Sequence, residues 1–158
     1  MNNELTIPQK EIENRIFIFR DTQVMLDRDL AEMYQVETKV LNQAVKRNIE
    51  RFPQQFRFQL TDNEKMELVT NCDRFKSLKH SSVNPYAFTE QGIAMLSAVL
   101  RSDRAVKVSI QIINAFVAMR KFIASHNGLL QRIDSIERKQ LETDQKLEQV
   151  FKALDNKE

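Results

Sequence analysis

The sequence predicts an α+β fold: a small domain with short β-strands and a helix-turn-helix-like helix pair, followed by a long core helix and a C-terminal coiled-coil helix. Short apolar–polar alternations predict the strands, and two closely spaced helical segments predict the helix-turn-helix-like pair. Two helical patterns after residue 100 predict the long core helix and the C-terminal helix. For a chain of 158 residues we expect a flexible N-terminal arm over 1–14, one domain over 15–125 and an oligomerisation helix over 126–158.

The first elements come from RIFIFRDTQVML, residues 15–26, which is typical of two short strands with RD or TQ at the turn. Asp27 is placed to cap a helix over RDLAEMYQV, and Thr38 is placed to cap a second helix over residues 38–51. Three or four residues separate the two helices, which is the length of a helix-turn-helix corner. Pro53 ends the second helix.

The chain then returns to the predicted sheet through FRFQL, residues 56–60. Its alternation of apolar and polar side chains predicts a strand with Phe56 and Phe58 buried. Arg57 is predicted on the opposite face, where contact with nucleic acid is not expected. In this interpretation the aromatic residues around the cations belong to the core.

Two capping signals and an irregular stretch follow. Thr61 and Glu64 make a T-x-x-E capping box for a helix to about residue 70. Residues 71–85 are polar and predict an exposed loop or wing. YAF then predicts a short strand, and Thr89 is placed to cap a helix over EQGIAMLSAVL.

The last third of the chain carries two helical patterns. The first runs from residue 103 to about 125 and is apolar around most of its circumference, as in a central core helix or a subunit interface. SHNG, residues 125–128, predicts a helix stop. A heptad pattern then predicts a coiled coil, with a lone amphipathic helix as the alternative. Its seam carries polar Gln140 and Thr143 and the candidate oligomerisation residues Leu129, Ile133, Ile136, Leu147, Val150 and Leu154.

The net charge of +2 is unevenly distributed. Residues 38–60 carry five basic groups and one acidic group, and residues 101–125 have the same balance, whereas residues 1–37 carry eight acidic groups and four basic ones. Two positive segments in a nearly neutral chain are typical of a polyanion partner, although solvated surface faces give the same pattern.

The helix over 38–51 separates an apolar face from a polar face. The apolar face consists of Val40, Leu41, Ala44, Val45 and Ile49. On the polar face, Asn or Gln can bridge adenine N6 and N7, and Lys or Arg can contact guanine or phosphate. The predicted DNA-binding residues are Thr38, Lys39, Asn42, Gln43, Lys46, Arg47, Asn48 and Arg51. Possible phosphate contacts from the wing are Arg74, Lys76 and Lys79, which a solvated loop would explain equally well.

The residue types favour binding over catalysis. His80 and His126 lie in polar segments, and no CxxC or HxxxH spacing indicates a metal site. We therefore expect no catalytic residue, no metal and no cofactor. The single Cys72 excludes an intramolecular disulfide, no apolar run reaches the roughly 18 residues of a membrane span, and the amino terminus lacks a signal-peptide pattern.

Several motifs resemble one family. LDRDLAEMY, LNQAVKRNIERFP, FRFQLT, FTEQG and MLSAVLRS occur in this order over about residues 16–122, and they resemble the ORF-six-N domain of phage and phage-derived bacterial proteins, which is related to KilA-N and associated with antirepressors. The family pattern favours Gly near Gln35. The resemblance implies a small, non-enzymatic α+β DNA-binding domain, with the polar positions of Leu41–Pro53 as first candidates for DNA contact.

The expected function is therefore that of a cytoplasmic transcriptional regulator or antirepressor in a bacterial host cell. The expected partners are double-stranded DNA and a second copy of the chain, most simply in a dimer formed through the C-terminal helix. The alternative is a protein-interaction module that binds a repressor or another acidic partner through the basic face and the tail. No membrane partner is expected.

Overall fold

A short-stranded sheet lies at the centre of the fold. The computed structural model describes the backbone of residues 6–155 and, within that range, the side chains other than those of 127–135, 137 and 155. The strands of this part form a four-stranded antiparallel sheet in the order β1-β2-β4-β3. They are β1 (Phe17–Phe19), β2 (Thr22–Leu26), β3 (Arg57–Gln59) and β4 (Tyr86–Phe88). The predicted α+β class and its short strands are confirmed.

Most of the helices lie where the sequence predicts them. They are α1 (Gln9–Glu13), α2 (Asp27–Tyr34), α3 (Thr38–Arg47), α4 (Asp62–Asn71), α5 (Glu90–Leu100) and α6 (Asp103–Asp155), with 3-10 segments at Ile49–Arg51 and Asp73–His80. The chain divides into two compact units, Met1–Ala118 and Met119–Glu158. The sheet, α1 to α5 and the first part of α6 belong to the first unit.

The β1–β2 hairpin turns at Arg20 and Asp21, which have φ values of 54° and 59°. Two successive left-handed residues are typical of a type I′ turn, whose twist matches that of the flanking strands. Of the two predicted turn positions, RD is confirmed, whereas TQ begins β2.

Both faces of the sheet are covered. Leu26, Ala87 and Phe58 occupy neighbouring positions across three strands and join a buried cluster with side chains from α4 and the Asp73–His80 segment. On the other face the ring of Phe88 packs edge-on against Phe52, with ring centroids 6.0 Å apart. The prediction that Phe58 is buried is confirmed, whereas Phe56 is only half-buried.

The corner between α2 and α3 contains three residues, as predicted for a helix-turn-helix-like pair. Gln35 ends α2 in the left-handed conformation, with φ 59° and ψ 45°. The Val36 amide then donates to the carbonyl of Ala31 at 3.0 Å, which satisfies one of the last free carbonyls of the helix. The left-handed turn therefore forms at Gln35 even though the position lacks the glycine favoured by the family pattern.

Two of the four predicted helix caps are confirmed. Thr61 and Glu64 form a reciprocal capping box, and the Thr89 hydroxyl accepts a hydrogen bond from the Gly92 amide. The predicted caps at Asp27 and Thr38 are wrong, because the capping positions of α2 and α3 are Leu26 and Glu37, without a side-chain cap. Asp27 and Thr38 are instead the first helical residues.

Residues 1–5 of the expected flexible arm lie outside the described residues, and residues 6–14 are more ordered than predicted. Residues Gln9–Glu13 form α1, and Ile12 is 1% exposed in the core. The Ile7 amide donates to the side-chain oxygen of Gln111 on α6. A single apolar side chain among the five residues of α1 gives no periodic signal for this docking.

Residues 71–85 are more ordered than the predicted loop, because Asp73–His80 is a 3-10 segment. Phe75 is fully buried, and its ring packs edge-on against Phe17, with centroids 5.8 Å apart. An aromatic anchor of this kind stabilises a short segment that has little helix propensity of its own.

The helix α6 continues through the predicted stop at residues 125–128, so that prediction is wrong. Isolated glycine costs a helix only about 1 kcal/mol, and good helix formers such as Ala124, Leu129 and Leu130 flank the SHNG stretch. The heptad pattern is therefore part of one continuous helix that begins at Asp103.

The first part of α6 is a core helix. Its buried stripe consists of Ala105, Val108, Ile112, Ala115 and Phe116. Within the described residues, Asp103–His126 is the one helix long and apolar enough to cross a membrane by length and composition. Its buried stripe packs into the core of the first unit, whereas Val106 and Ile110 remain exposed.

Gly92 allows α5 to approach β3 closely, and its replacement by alanine is expected to lower the free energy of unfolding by about 1–3 kcal/mol. An added Cβ would overlap the Phe56 carbonyl oxygen. That carbonyl accepts hydrogen bonds from the Thr89 amide and hydroxyl, so it cannot move freely. Chemical denaturation measures the loss.

The control is Gln91→Ala on the exposed side of the same helix, which we expect to change the free energy of unfolding by no more than about 0.5 kcal/mol. A Gly92→Ala protein as stable as this control would contradict the role of close packing at Gly92.

Candidate nucleic-acid interface

An open groove of about 730 Å³ lies between α3 and the segment that leads into β4. The first residues of α2 and one residue of β3 complete its surface. Its lining residues are Asp27, Arg28, Thr38, Lys39, Asn42, Gln43, Lys46, Ile49, Arg57, Leu78, Ser81, Val83, Asn84, Pro85 and Tyr86. We refer to this surface as the α3 groove.

The α3 groove is strongly cationic. Among its lining residues, all within the described chain, four are cations and one is an acid. The cations are Arg28, Lys39, Lys46 and Arg57, and the acid is Asp27. An excess of positive charge in a concave surface concentrates anions near it.

The acid in the groove, Asp27, is hydrogen-bonded to neighbouring residues. Asp27 is buried, and its carboxylate accepts hydrogen bonds from the Asn42 side-chain amide at 2.9 Å and from the Arg28 backbone amide at 2.8 Å. Burial raises the pKa of Asp27, and the hydrogen bond from Asn42 acts in the opposite direction. The Asn42 side chain is thereby held in one orientation.

Three polar atoms of the groove have no partner. Among the described residues, the buried side-chain atoms without a hydrogen bond include Arg28 Nη1, Asn42 Oδ1 and Arg57 Nε. Two are donors and one is an acceptor. A buried polar group without a partner costs free energy, so the protein leaves the hydrogen bonding of these three groove residues incomplete.

Arg57 lines the groove beside α3, on the sheet face opposite Phe58 as the sequence predicts. That it makes no contact with DNA stays a prediction. Its guanidinium carbon is 4.1 Å from the centroid of the Tyr86 ring. The pairing of Gln59 with Tyr86 brings the two strands into this register. The sequence alternation correctly separates Arg57 from Phe58, but it cannot show which sheet face lies beside α3.

The predicted DNA-binding residues divide into two groups. Thr38, Lys39, Asn42, Gln43 and Lys46 line the α3 groove. Arg47 and Arg51 are exposed outside it, and the Asn48 side chain donates to the Ala44 carbonyl at 2.9 Å. Whether any of these residues contacts DNA stays a prediction.

The inner face of the predicted helix 38–51 is narrower than expected. Leu41 and Val45 are fully buried, whereas Val40 and Ile49 are about half exposed, at 47% and 49%. The α-helix ends at Arg47 and Ile49 begins a 3-10 segment, so the helical spacing used for the prediction does not reach Ile49.

A family model described as the ORF6N domain matches residues 14–99, which is more than half of the chain. The chain belongs to the ORF6N family. The match to this phage-associated family contains the whole sheet and every lining residue of the α3 groove, and it ends inside α5, whereas the sequence motifs suggested a resemblance to about residue 122. Neither the curated proteins nor the solved structures searched gave a match.

One acid of the motif LDRDLAEMY forms a buried ion pair. Asp29 is buried and forms a two-pronged ion pair with Arg74, with Arg15 3.6 Å away. Burial raises the pKa of Asp29, and the hydrogen bond from Arg74 opposes this effect. Arg74, a predicted phosphate contact, therefore fastens the Asp73–His80 segment to α2.

The other two predicted phosphate contacts of the wing lie outside the α3 groove. Lys76 is exposed and forms an ion pair with Asp73 at 3.3 Å, and Lys79 is exposed. Their role in this ORF6N protein stays a prediction. Three groove residues were not among the predicted DNA-binding residues. Arg28 lies at the start of α2, and the pairing of β3 with β4 brings Arg57 and Tyr86 together beside α3.

The predicted seam of the C-terminal helix is exposed in the single chain. Ile136, Leu147, Val150 and Leu154 are all more than half exposed. The side chains of Leu129 and Ile133 lie outside the described residues. A coiled coil of this part of the ORF6N protein is consistent with the exposed seam but stays a prediction.

Metal binding has no evident site in the part of the chain that the structure describes. No group of three or more His, Cys, Asp or Glu side chains there is arranged to hold a metal ion.

Proposed function

We propose that this ORF6N protein is a sequence-reading double-stranded DNA-binding protein of phage or prophage origin, which acts as a transcriptional regulator or antirepressor in the cytoplasm of a bacterial host. The observation that carries the proposal is the cationic α3 groove beside the exposed amide and cationic side chains of α3. The proposal requires neither catalysis nor a cofactor.

The helix α3 has dimensions that suit the major groove. Its ten residues span about 15 Å, and the major groove, about 12 Å wide, admits an α-helix. Gln43 and Arg47 are exposed on α3 and offer an amide and a guanidinium, the groups that recognise adenine and guanine. A short corner to α2 holds α3 against the domain and leaves this side free.

Self-association through α6 would place two copies of α3 on one duplex. The exposed apolar seam supports this part of the proposal, because burying Leu147, Val150 and Leu154 against a second copy removes apolar area from water. A dimer with two-fold symmetry favours a two-fold symmetric DNA site.

A second candidate function is binding to an acidic segment of a repressor. Two exposed apolar side chains at the α3 groove favour it, since Ile49 is 49% exposed and Val83 is 62% exposed. Protein partners bury such residues, whereas a phosphate backbone does not require them. Preference for a selected duplex over random DNA distinguishes the first function from the second.

The proposed function is tested by selecting duplexes from random DNA with the full-length protein. We expect a recurrent sequence that binds at least about 1,000-fold more tightly than scrambled DNA. Replacing Gln43 with alanine should reduce discrimination at one base position by about 1–3 kcal/mol. The matched control is Gln91→Ala on α5, and loss of discrimination in both variants, or no enrichment, would contradict the proposal.

A further inference from the structure

The α3 groove is concave, and a concave surface cannot itself enter the major groove. Its cations can only meet a part of the duplex that projects outwards, and the projecting parts are the two sugar–phosphate strands. We infer that the α3 groove seats one strand of the duplex, with Arg57 and Arg28 as its phosphate contacts. The inference rests on the proposed function and adds residues that lie outside the helix expected to read bases.

The guanidinium groups that line the groove suit a phosphate ligand. Arg57 and Arg28 are both half-buried in its lining, and since Arg57 Nε and Arg28 Nη1 are enclosed by the protein, the phosphate contacts fall to their remaining guanidinium nitrogens. Phosphate oxygens are strong acceptors, and the planar guanidinium matches them with two parallel hydrogen bonds. An acidic peptide would also supply acceptors, but a strand supplies them at regular intervals along the groove.

Arg57 is held in place before any ligand arrives. Its guanidinium stacks on Tyr86 with 4.1 Å between the guanidinium carbon and the ring centroid. Stacking on an aromatic ring leaves the edge of the guanidinium available to acceptors. Since the side chain is already ordered, phosphate binding costs less side-chain entropy.

The wall opposite α3 is also fixed by hydrogen bonds. The Lys65 ammonium donates to the Ser81 carbonyl at 3.1 Å, and the Asn84 side-chain amide donates to Asp62 at 2.8 Å and to the Leu60 carbonyl at 3.0 Å. A strand seated against this wall would have α3 on its major-groove side and residues 81–84 towards the adjacent minor groove.

The test measures binding of the full-length protein to random-sequence duplex over a range of salt concentrations. Replacing Arg57 with glutamine should reduce the slope of log K against log salt by about 1 for each protein copy bound. Arg57→Lys retains the charge and should restore the slope. Arg28→Gln should reproduce the loss, and the control Lys10→Gln, which removes an exposed cation from α1, should not.

Each outcome decides the inference. A slope for Arg57→Gln and Arg28→Gln equal to that of the wild type would overturn it, even if the wild type binds DNA, so this failure is distinct from failure of the proposed function. A deoxynucleoside monophosphate that raises the melting temperature of the wild type but not of Arg57→Gln, with no change in DNA slope, would assign the groove to a free nucleotide and overturn the inference as well.

Discussion

Replacing Lys46 and Arg47 together with alanine is expected to weaken binding to duplex DNA by at least about tenfold at physiological salt, because two cations on α3 no longer displace counterions from the phosphates. The slope of log K against log salt should fall by about 2 per bound copy. Both side chains are exposed, so the melting temperature should stay near that of the wild type. Fluorescence anisotropy with labelled duplex gives the affinity and the slope.

The control protein carries Lys10→Ala on α1 together with Lys152→Ala on α6. It loses the same two positive charges at positions away from α3. We expect its affinity and salt slope to match those of the wild type. An equal loss of affinity in the control would mean that DNA binding depends only on the net charge of the protein. A large drop in the melting temperature of the Lys46 and Arg47 variant would instead give these side chains a structural role.

Replacing Leu147 and Val150 with lysine is expected to reduce the mass in light scattering to that of the single chain, 18.6 kDa. Each side chain lies on the predicted seam and is more than half exposed in the single chain, so a second copy is expected to cover it. Two added charges per copy would make burial of the seam costly. Affinity for a two-fold symmetric DNA site should fall by about 100-fold to 10,000-fold as the linked second contact is lost.

The matched control is Leu141→Lys on the same helix. Leu141 is 60% exposed, close to the 51% of Leu147, but the heptad pattern places it outside the seam. We expect its mass and its DNA affinity to be unchanged. An unchanged mass in the Leu147 and Val150 variant, or an equal loss in Leu141→Lys, would remove the seam from assembly.

The parts of the fold that the sequence predicts correctly depend on neighbours along the chain. The Thr61–Glu64 capping box and the Thr89 cap each involve residues three positions apart, so their pattern can be read directly from the sequence. Turns and short strands also depend on residues close in sequence, as the RD turn does.

The parts that it misses depend on pairs distant in the chain. Arg74 binds Asp29 across 45 positions, and Ile7 binds Gln111 across 104. No local pattern marks such pairs, so Arg74 resembled a free cation and residues 1–14 resembled a loose arm.

The candidate site also has a part that the sequence predicts and a part that it does not. Helical spacing placed Lys39, Gln43 and Lys46 on one polar face, and all three line the α3 groove. Arg57 and Tyr86 needed the register of β3 on β4 and the docking of the sheet beside α3. The polar face of a helix was therefore predictable, whereas the concave surface that it forms with the sheet was not.

The central claim is that the α3 surface binds duplex DNA, and its most direct test is the affinity of the full-length protein for random duplex between about 50 mM and 200 mM salt. We expect clear binding at the lower concentration and a linear fall of log K against log salt. The slope should be about −4.5 per copy when the four groove cations and Arg47, five in all, each approach one phosphate. Absence of binding at the lower concentration, or an affinity that does not change with salt, would contradict the claim.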